Sequence, residues 1–512
     1  MNACDDQGET IAFLSRAGSF GAAGSVDRID THAAIIFLAG DRAYKLKRAV
    51  RYPYLDFSTA NKRKAVCEAE VALNRRTAPD IYLGVCSVGR QADGTLALDT
   101  GEAIDWLVVM RRFAPECLLA KMADKGPLGP ELVRDLADQI ATFHDMAEVA
   151  DGNGSDRVRA VLDGNLTSMT ALAEGLLPME DCERLHRRSL DDVDRLSPLL
   201  DRRAETGHVR HCHGDLHLAN ICLWQERPTL FDCLEFDAAL ATTDVLYDLA
   251  FLLMDLWHRG LHAEASPLFN RYCDMREEDD GLPALPLFLS MRAAVRAHVH
   301  ASAAERHDRG ERREAEARTA RAYLAAAMGF LDRSKPQLTV IGGLSGTGKS
   351  TLAGALAAEL GDPPGARWLR TDVLRKRMAG VSPETRLSPE AYTKEQSEKV
   401  YDRLATKARE ILAGGTSVIA DGVFAAEAER NAMTAAATEA GVPFVGLWLE
   451  APVELLRSRV SARTGDASDA DAPVVERQLE YELGDLSAWH RIEATGSPGE
   501  VLARAKREHP LP

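Results

Sequence analysis

The alternation of apolar and polar positions is clearest near the start of the chain. Ala33–Leu38 and Arg42–Val50 are short runs rich in β-branched and aromatic residues around Gly40-Asp41, which predicts two antiparallel strands joined by a hairpin. Ser58 or Thr59 can cap a helical stretch ending near Pro79, and the apolar strand Ile104–Met110 leads into Arg111-Arg112-Phe113. From Pro130 to Ala150, Leu132, Leu136, Ile140 and Phe143 recur at the spacing of one helix face, and Leu246–Trp257 and Leu287–His300 also read as helices. Residues 301–333, rich in Ala, Arg and Glu, predict one long helix that stops at Ser334-Lys335-Pro336, where proline cannot continue it. Strands first and helices later predict an α+β domain over residues 1–334.

The pattern changes after that proline. Leu338–Ile341 is a continuous apolar strand, Gly342–Lys349 a glycine loop, and Ser350–Leu360 a helical run. Further apolar strands at Ser417–Ala420 and Phe444–Leu449, separated by helices, predict an α/β domain over residues 335–512, with a parallel sheet and helices on both faces.

The glycine loop carries chemistry. Gly343-Leu344-Ser345-Gly346-Thr347-Gly348-Lys349-Ser350 matches G-x-x-x-x-G-K-[ST] at every fixed position, between a strand and a helix as the motif requires. Small residues let backbone N–H groups curl around phosphate oxygens, Lys349 reaches the terminal phosphates, and Ser350 can hold Mg²⁺. Asp421, following its strand, would emerge beside this loop and hold the water shell of the metal, or else cap a helix. Arg457, Arg459 and Arg463 could neutralise transferred charge from a mobile lid, or form ion pairs on the helix surface.

A second constellation lies upstream. In Cys212-His213-Gly214-Asp215-Leu216-His217-Leu218-Ala219-Asn220, an Asp is followed five residues later by an Asn, and Leu230-Phe231-Asp232 ends a later strand. Phosphoryl transfer needs a carboxylate to orient or accept the proton of the acceptor hydroxyl, a role that suits Asp215. It also needs oxygen ligands for Mg²⁺ on the nucleotide phosphates, and Asn220 and Asp232 suit that role. The competing reading is zinc, because His211, Cys212, His213, His217 and Cys222 crowd a dozen residues, although their spacing fits no closed four-ligand pattern.

Residues 213–220 match H-G-D-x-H-x-x-N at every fixed position, and the chain from about 25 to 330 resembles the aminoglycoside phosphotransferase and choline-kinase-like branch of the protein-kinase-like fold. The resemblance implies a strand-rich small lobe, a hinge near Met110–Phe113 and a helical lobe. It also implies a strand lysine gripping the nucleotide phosphates, for which Lys45 and Lys47 both qualify, with Tyr44-Lys45 the better match to the family pattern, and a helix glutamate, Glu70, with Glu68 behind it. No G-x-G-x-x-G precedes them; Gly18–Gly24 or Asp30-Thr31-His32 could cover the phosphates instead. Residues 336–495 resemble small P-loop kinases of the gluconate kinase, adenylylsulfate kinase and zeta-toxin type, through Gly343-Leu344-Ser345-Gly346-Thr347-Gly348-Lys349-Ser350-Thr351 and Arg370-Thr371-Asp372-Val373-Leu374-Arg375. That resemblance places Asp372 at the acceptor with Arg375 beside it, the alternative for Asp372 being a helix N-cap.

Composition narrows the partners. The chain has 512 residues and a formal net charge of −16, which repels a phosphate backbone and argues against nucleic-acid binding. The acid excess falls mainly in residues 1–334, as a cleft for a cationic substrate or as plain solvated surface. Nine cysteines, none beyond 273 and with no C-x-x-C pair, read as reduced thiols, and the N-terminus lacks the basic and apolar stretches of a signal peptide. The expectation is a cytoplasmic protein without membrane partners: a bifunctional kinase using ATP and Mg²⁺ on small-molecule hydroxyls. Protein Ser/Thr phosphorylation by the first domain, or a purely nucleotide-binding regulatory role for one domain, are the alternatives.

Overall fold

The computed structural model describes residues 4–21, 24–31, 33–52, 55–172, 175–307, 310–462 and 467–508. The chain divides into two compact units, Met1–Val161 with Ser197–Asp255, and Leu162–Leu196 with Leu256–Pro512. The second therefore joins helices that precede residue 334 to the glycine-loop sheet.

The first unit is built on a six-stranded antiparallel sheet. Its strands are β1 (Asp27–Asp30), β2 (Ala34–Ala39), β3 (Arg42–Lys47), β4 (Tyr82–Arg90), β5 (Leu96–Leu98) and β6 (Glu102–Arg111), in the order β1-β2-β3-β6-β4-β5. The β2–β3 hairpin turns at Gly40, whose φ of 58° suits a residue without Cβ, and pairs Ala39 with Arg42. Period-two alternation splits β3 between two cores. Tyr44 and Leu46 pack with Phe37, Leu107 and Leu14, whereas Ala43 packs with Cys67 and Val71 of helix α1 (Ala60–Asn74). Lys45 and Lys47 share that second face, toward α1.

Helix α1 begins at Thr59, whose hydroxyl accepts from Lys62 N, and ends at Asn74, short of Pro79. The reason is local: the Asn74 side chain is buried, donating to Glu70 O at 2.9 Å and accepting from Cys233 N at 2.8 Å, and the chain turns after it. Helix α2 (Pro130–Met146) and the short antiparallel pairs β7 (Val209–His211) with β10 (Thr242–Asp244) and β8 (Ile221–Trp224) with β9 (Arg227–Leu230) complete the setting of the His-Gly-Asp loop. Helix α3 (Val245–His258) follows.

In the second unit the single helix expected over 301–333 is instead the end of one helix and the whole of another. After α4 (His262–Arg276), α5 (Leu285–Glu305) and α6 (Glu311–Phe330) form an antiparallel hairpin around Gly310, with Ser290 Oγ bonded to Ala327 O at 2.8 Å. The alanines are the cause: Ala297, Ala301 and Ala304 of one helix and Ala317, Ala320 and Ala327 of the other are buried, so the two backbones approach closely rather than presenting a solvated charged rod.

The glycine-loop sheet has five parallel strands, β11 (Leu338–Gly343), β12 (Arg367–Arg370), β13 (Val418–Asp421), β14 (Phe444–Glu450) and β15 (His490–Glu493), in the order β12-β13-β11-β14-β15. Ile341, Ile419, Leu447 and Ile492 pack with Leu352 and Leu356 of α7 (Lys349–Ala357) in one apolar core. Among the described residues no helix is long and apolar enough to cross a membrane.

Candidate functional sites

The first site is organised by a buried carboxylate. Glu70, fully enclosed on α1, meets Lys45 Nζ at 2.9 Å and Lys47 Nζ at 2.5 Å, and Lys45 also reaches Asp232 Oδ1 at 2.6 Å. Lys47 pairs instead with Glu235. Burial would raise the Glu70 pKa, but the Lys45 and Lys47 ammonium groups override it and hold it at about 2. Burial likewise works against the Lys45 ammonium, yet Asp232 and Glu70 keep its pKa well above the ordinary value. Both lysines therefore stay charged, and of the two only Lys45 touches Asp232. Asp232 itself has φ of 62°, a left-handed conformation uncommon for a non-glycine residue.

Asn220 Nδ2 donates to Asp215 Oδ2 at 2.8 Å and to its carbonyl at 3.0 Å, which fixes the half-buried Asp215 carboxylate. The loop is tied down from behind by a residue outside the Cys212–Asn220 segment. Asp248, buried at the start of α3, accepts from His213 N at 3.1 Å and Gly214 N at 2.8 Å and meets His144 Nε2 at 3.1 Å. Arg76 donates to the carbonyls of His211 and Cys212 at 2.8 and 3.2 Å. His213 Nε2 lies 3.0 Å from Phe231 O, joining the Asp215 loop to the Asp232 segment. These bonds absorb the histidine that zinc would need. Among the described residues, of the five crowded His and Cys side chains only Cys212 falls in a cluster of potential ligands, with His144 and Asp248.

Neither expected phosphate cover shows such a convergence. Phe20, from the Gly18–Gly24 stretch, packs with its ring tilted 37° and 4.4 Å from that of Tyr44, on the β3 face opposite Lys45; residues 22–23 lie outside the described residues. Asp30 pairs with Arg28 and Arg48, Thr31 bonds Ala34, and His32 lies outside the described residues.

In the second site, the chain between β11 and α7 needs its glycines. Gly343, Gly346 and Gly348 have φ of 138°, 86° and 93°, and a Cβ on Gly346 would stand 2.7 Å from Leu456 O. The loop is braced by Thr347 Oγ1 on Leu344 O at 2.8 Å and by Ser345 N donating to Gln478 Oε1 at 2.8 Å. Lys349 Nζ donates to Leu344 O at 3.0 Å, and Thr351 is exposed on α7. Arg459, on the helix Val453–Ser461, reaches the carbonyls of Gly346 and Thr347 at 3.4 Å. Arg457 forms surface pairs with Glu454 and Glu476, and Arg463 lies outside the described residues.

Asp421 is the last residue of β13 and does not cap a helix; the next helix starts at Glu427. It accepts from Trp368 Nε1 at 2.9 Å and lies against Ser350 and Lys349. Burial lifts its pKa to about 6 against the pull of Arg370, Lys349, Trp368 and Ser350. Asp372 sits in the first turn of helix α8 (Thr371–Met378), whose N-cap is Arg370, so Asp372 is not the cap. Among the described residues it makes no side-chain hydrogen bond or ion pair, and its charge faces Tyr392 and Tyr401. Arg375 lies one turn on, stacked 4.8 Å from the Tyr392 ring and donating to Ala391 O at 2.7 Å. Trp368 and Gln478 are contributors that no local spacing announced.

Residues 92–285 match the family model described as Phosphotransferase enzyme family, and residues 338–483 match one described as AAA domain. An uncharacterized protein of Mycobacterium tuberculosis is 31% identical over 493 residues, covering 94% of each chain. The adenylyl-sulfate kinase of Myxococcus xanthus is 32% identical over 192 residues, 34% of this chain and 99% of that one. Among solved structures, a choline/ethanolamine kinase family protein from Mesorhizobium loti aligns at 17% identity with a TM-score of 0.37, over 60% of this chain and 89% of its own.

Proposed function

Because the chain belongs to the same two-part family as the mycobacterial protein, uniting a phosphotransferase-family region with a P-loop kinase region, we propose that it is a bifunctional kinase with one site in residues 1–334 and another in 335–512. Each site moves the γ-phosphoryl group of ATP to a hydroxyl of a small molecule such as a sugar, amino sugar, aminoglycoside or amino alcohol. The observation that carries this is the separate completeness of the two sets: Lys45 between Glu70 and Asp232 beside Asp215 in one unit, and the glycine cradle beside Lys349, Ser350 and Asp421 in the other.

In the first site Asp215 orients the acceptor hydroxyl and takes its proton, while Lys45, charged and aimed by Glu70, grips phosphate oxygens. Asn220 spends its amide nitrogen on Asp215, leaving its oxygen to act with the Asp232 carboxylate. These are hard oxygen donors of the kind Mg²⁺ prefers, and they would hold it there. In the second site the backbone of Gly343–Gly348, Lys349, Thr351 and Arg459 bind phosphates, Ser350 and Asp421 offer the metal oxygens, and Asp372 faces the acceptor. Mg²⁺ bound at either site supplies charge neutralisation across the nucleotide phosphates. None of the nine cysteines forms a disulfide, which fits the cytoplasm.

The test is ADP release by the full chain against a panel of sugars, amino alcohols and aminoglycosides, in wild type, Asp215→Asn, Lys349→Ala and the double variant. Two groups of acceptors, each silenced by a different single variant, are expected. If one variant silences every acceptor, or neither silences any, the two-site reading fails.

A further inference from the structure

One edge strand of the P-loop sheet is β12, and it is not left to solvent. Asn270, buried on α4, accepts from Trp368 N at 2.7 Å and donates to Ala366 O at 3.1 Å, so that one carboxamide does for this edge what another strand would do. Beside it the buried Arg367 guanidinium meets Asp274 at 2.7 Å, Asp279 at 2.6 Å and Asn270 Oδ1 at 3.1 Å. Asp279 also holds Lys407 at 2.6 Å, from the helix Lys394–Ala413. Two buried cations thus meet two largely buried carboxylates, in an arrangement where removing one partner strands a charge. The residues that β12 carries next are those at the nucleotide site. Trp368 Nε1 bonds Asp421, and Arg370 lies over the Trp368 ring at 4.6 Å with Nη2 3.6 Å from Asp274.

We infer that Asn270, Asp274 and Asp279, which lie upstream of the P-loop half of the sequence, are positioning residues of the P-loop site: they clamp β12 so that Trp368 and Arg370 hold Asp421 in place beside Ser350 and Lys349. The inference rests on reading that site as a phosphotransferase. A strand held by ladder bonds on one side and a polar clamp on the other can set an indole to within a hydrogen bond, whereas a solvated edge strand frays. The clamp belongs to α4 and the turn Glu278–Ala284, so the P-loop site depends on chain that precedes residue 334.

The experiment uses the full chain labelled with 5-fluorotryptophan, with the Trp368 resonance identified by its loss in Trp368→Phe. In Asn270→Ala the protein stays folded by circular dichroism, the Trp368 fluorine signal shifts or broadens, and Lys349-dependent ADP release falls about tenfold in kcat with a smaller change in the KM for ATP. Asp215-dependent release is unchanged. Asn270→Asp, which keeps the oxygen that accepts from Trp368 N but cannot donate to Ala366 O, restores the Trp368 signal and the turnover together and only in part. If Asn270→Ala does not fold, Asp274→Asn takes its place, keeping volume while weakening the hold on Arg367 and Arg370. A folded variant with an unmoved Trp368 signal, or with a moved signal and wild-type turnover, overturns the inference. If wild type itself shows no Lys349-dependent release, the transferase reading of that site fails instead. The clamp is then judged by the fluorine signal and by ATP affinity, and it falls if Asn270→Ala leaves both at wild-type values.

Discussion

Asp215 and Asp372 are both half-buried carboxylates, but their surroundings differ in a way that makes different predictions. Asp215 is fixed by the Asn220 amide at 2.8 Å and lies 3.5 Å from His217, so Asp215→Asn keeps the shape of the side chain and removes the charge proposed to accept the proton. Transfer at the first site should fall by about a hundredfold or more, the scale of general-base catalysis, with ATP affinity within about twofold of wild type by calorimetry. Near wild-type turnover in that variant would remove Asp215 from the mechanism. Asp372 has no partner to lose among the described residues, and with Arg370 as the N-cap it has no capping role. Asp372→Asn should therefore leave the melting temperature unchanged while lowering turnover of the Lys349-dependent reaction strongly, because a group acting at the attacked hydroxyl contributes in the transition state. Unchanged turnover there would make Asp372 a surface carboxylate.

At the scale of elements, what could be read from sequence was what is local. The β2–β3 hairpin, the P-loop and the Asp215–Asn220 spacing each lie within fourteen residues, where period and turn chemistry speak directly, and Lys45 and Lys47 share a face because strand parity is fixed. The α5–α6 hairpin was not legible, because an Ala-rich run has the same composition whether it is solvated or packed against its twin, and only Gly310 marks the turn. Nor were the braces. Trp368 reaches Asp421 across 53 residues, Ser345 reaches Gln478 across 133, and Asp248 reaches the His213 loop across about 35, distances over which no sequence period holds. The clamp on β12 is of the same long-range kind and carries a pH signature. Burial would raise the Asp279 pKa, but Arg367 and Lys407 hold it down to about 2, below the ordinary 3.8. The unfolded chain then binds the proton more readily, so the stabilisation is full above pH 3.8 and is lost as pH falls through about 2, an effect of about 2 kcal/mol. In Asp279→Asn, urea unfolding of the second unit should be less stable at neutral pH and depend less steeply on pH between 5 and 2. A slope equal to wild type would show that Asp279 does not carry the titration.

Over the whole molecule, the question is whether the two phosphate-handling sets proposed for one chain act separately. Each set is closed within its own unit: Lys45, Glu70, Asp215, Asn220 and Asp232 in one, and Gly343–Ser350, Asp372 and Asp421 in the other. None of these residues belongs to both sets, so removing a charge from one takes none of the named partners from the other, and sites without shared partners ordinarily behave additively. Lys349→Ala deletes the ammonium proposed to reach the terminal phosphates without touching the packing of β11, since Lys349 is the first residue of α7 and bonds the loop carbonyl of Leu344. It should abolish turnover at the second site and leave the first within about twofold of wild type, with Asp215→Asn doing the reverse. Measured on full chains with an acceptor specific to each site, this pair of variants separates independence from coupling. A Lys349→Ala protein that stays folded, yet loses Asp215-dependent phosphorylation, would mean that nucleotide at the P-loop is required for the first reaction. The two halves would then be one enzyme with a nucleotide-sensing part rather than two.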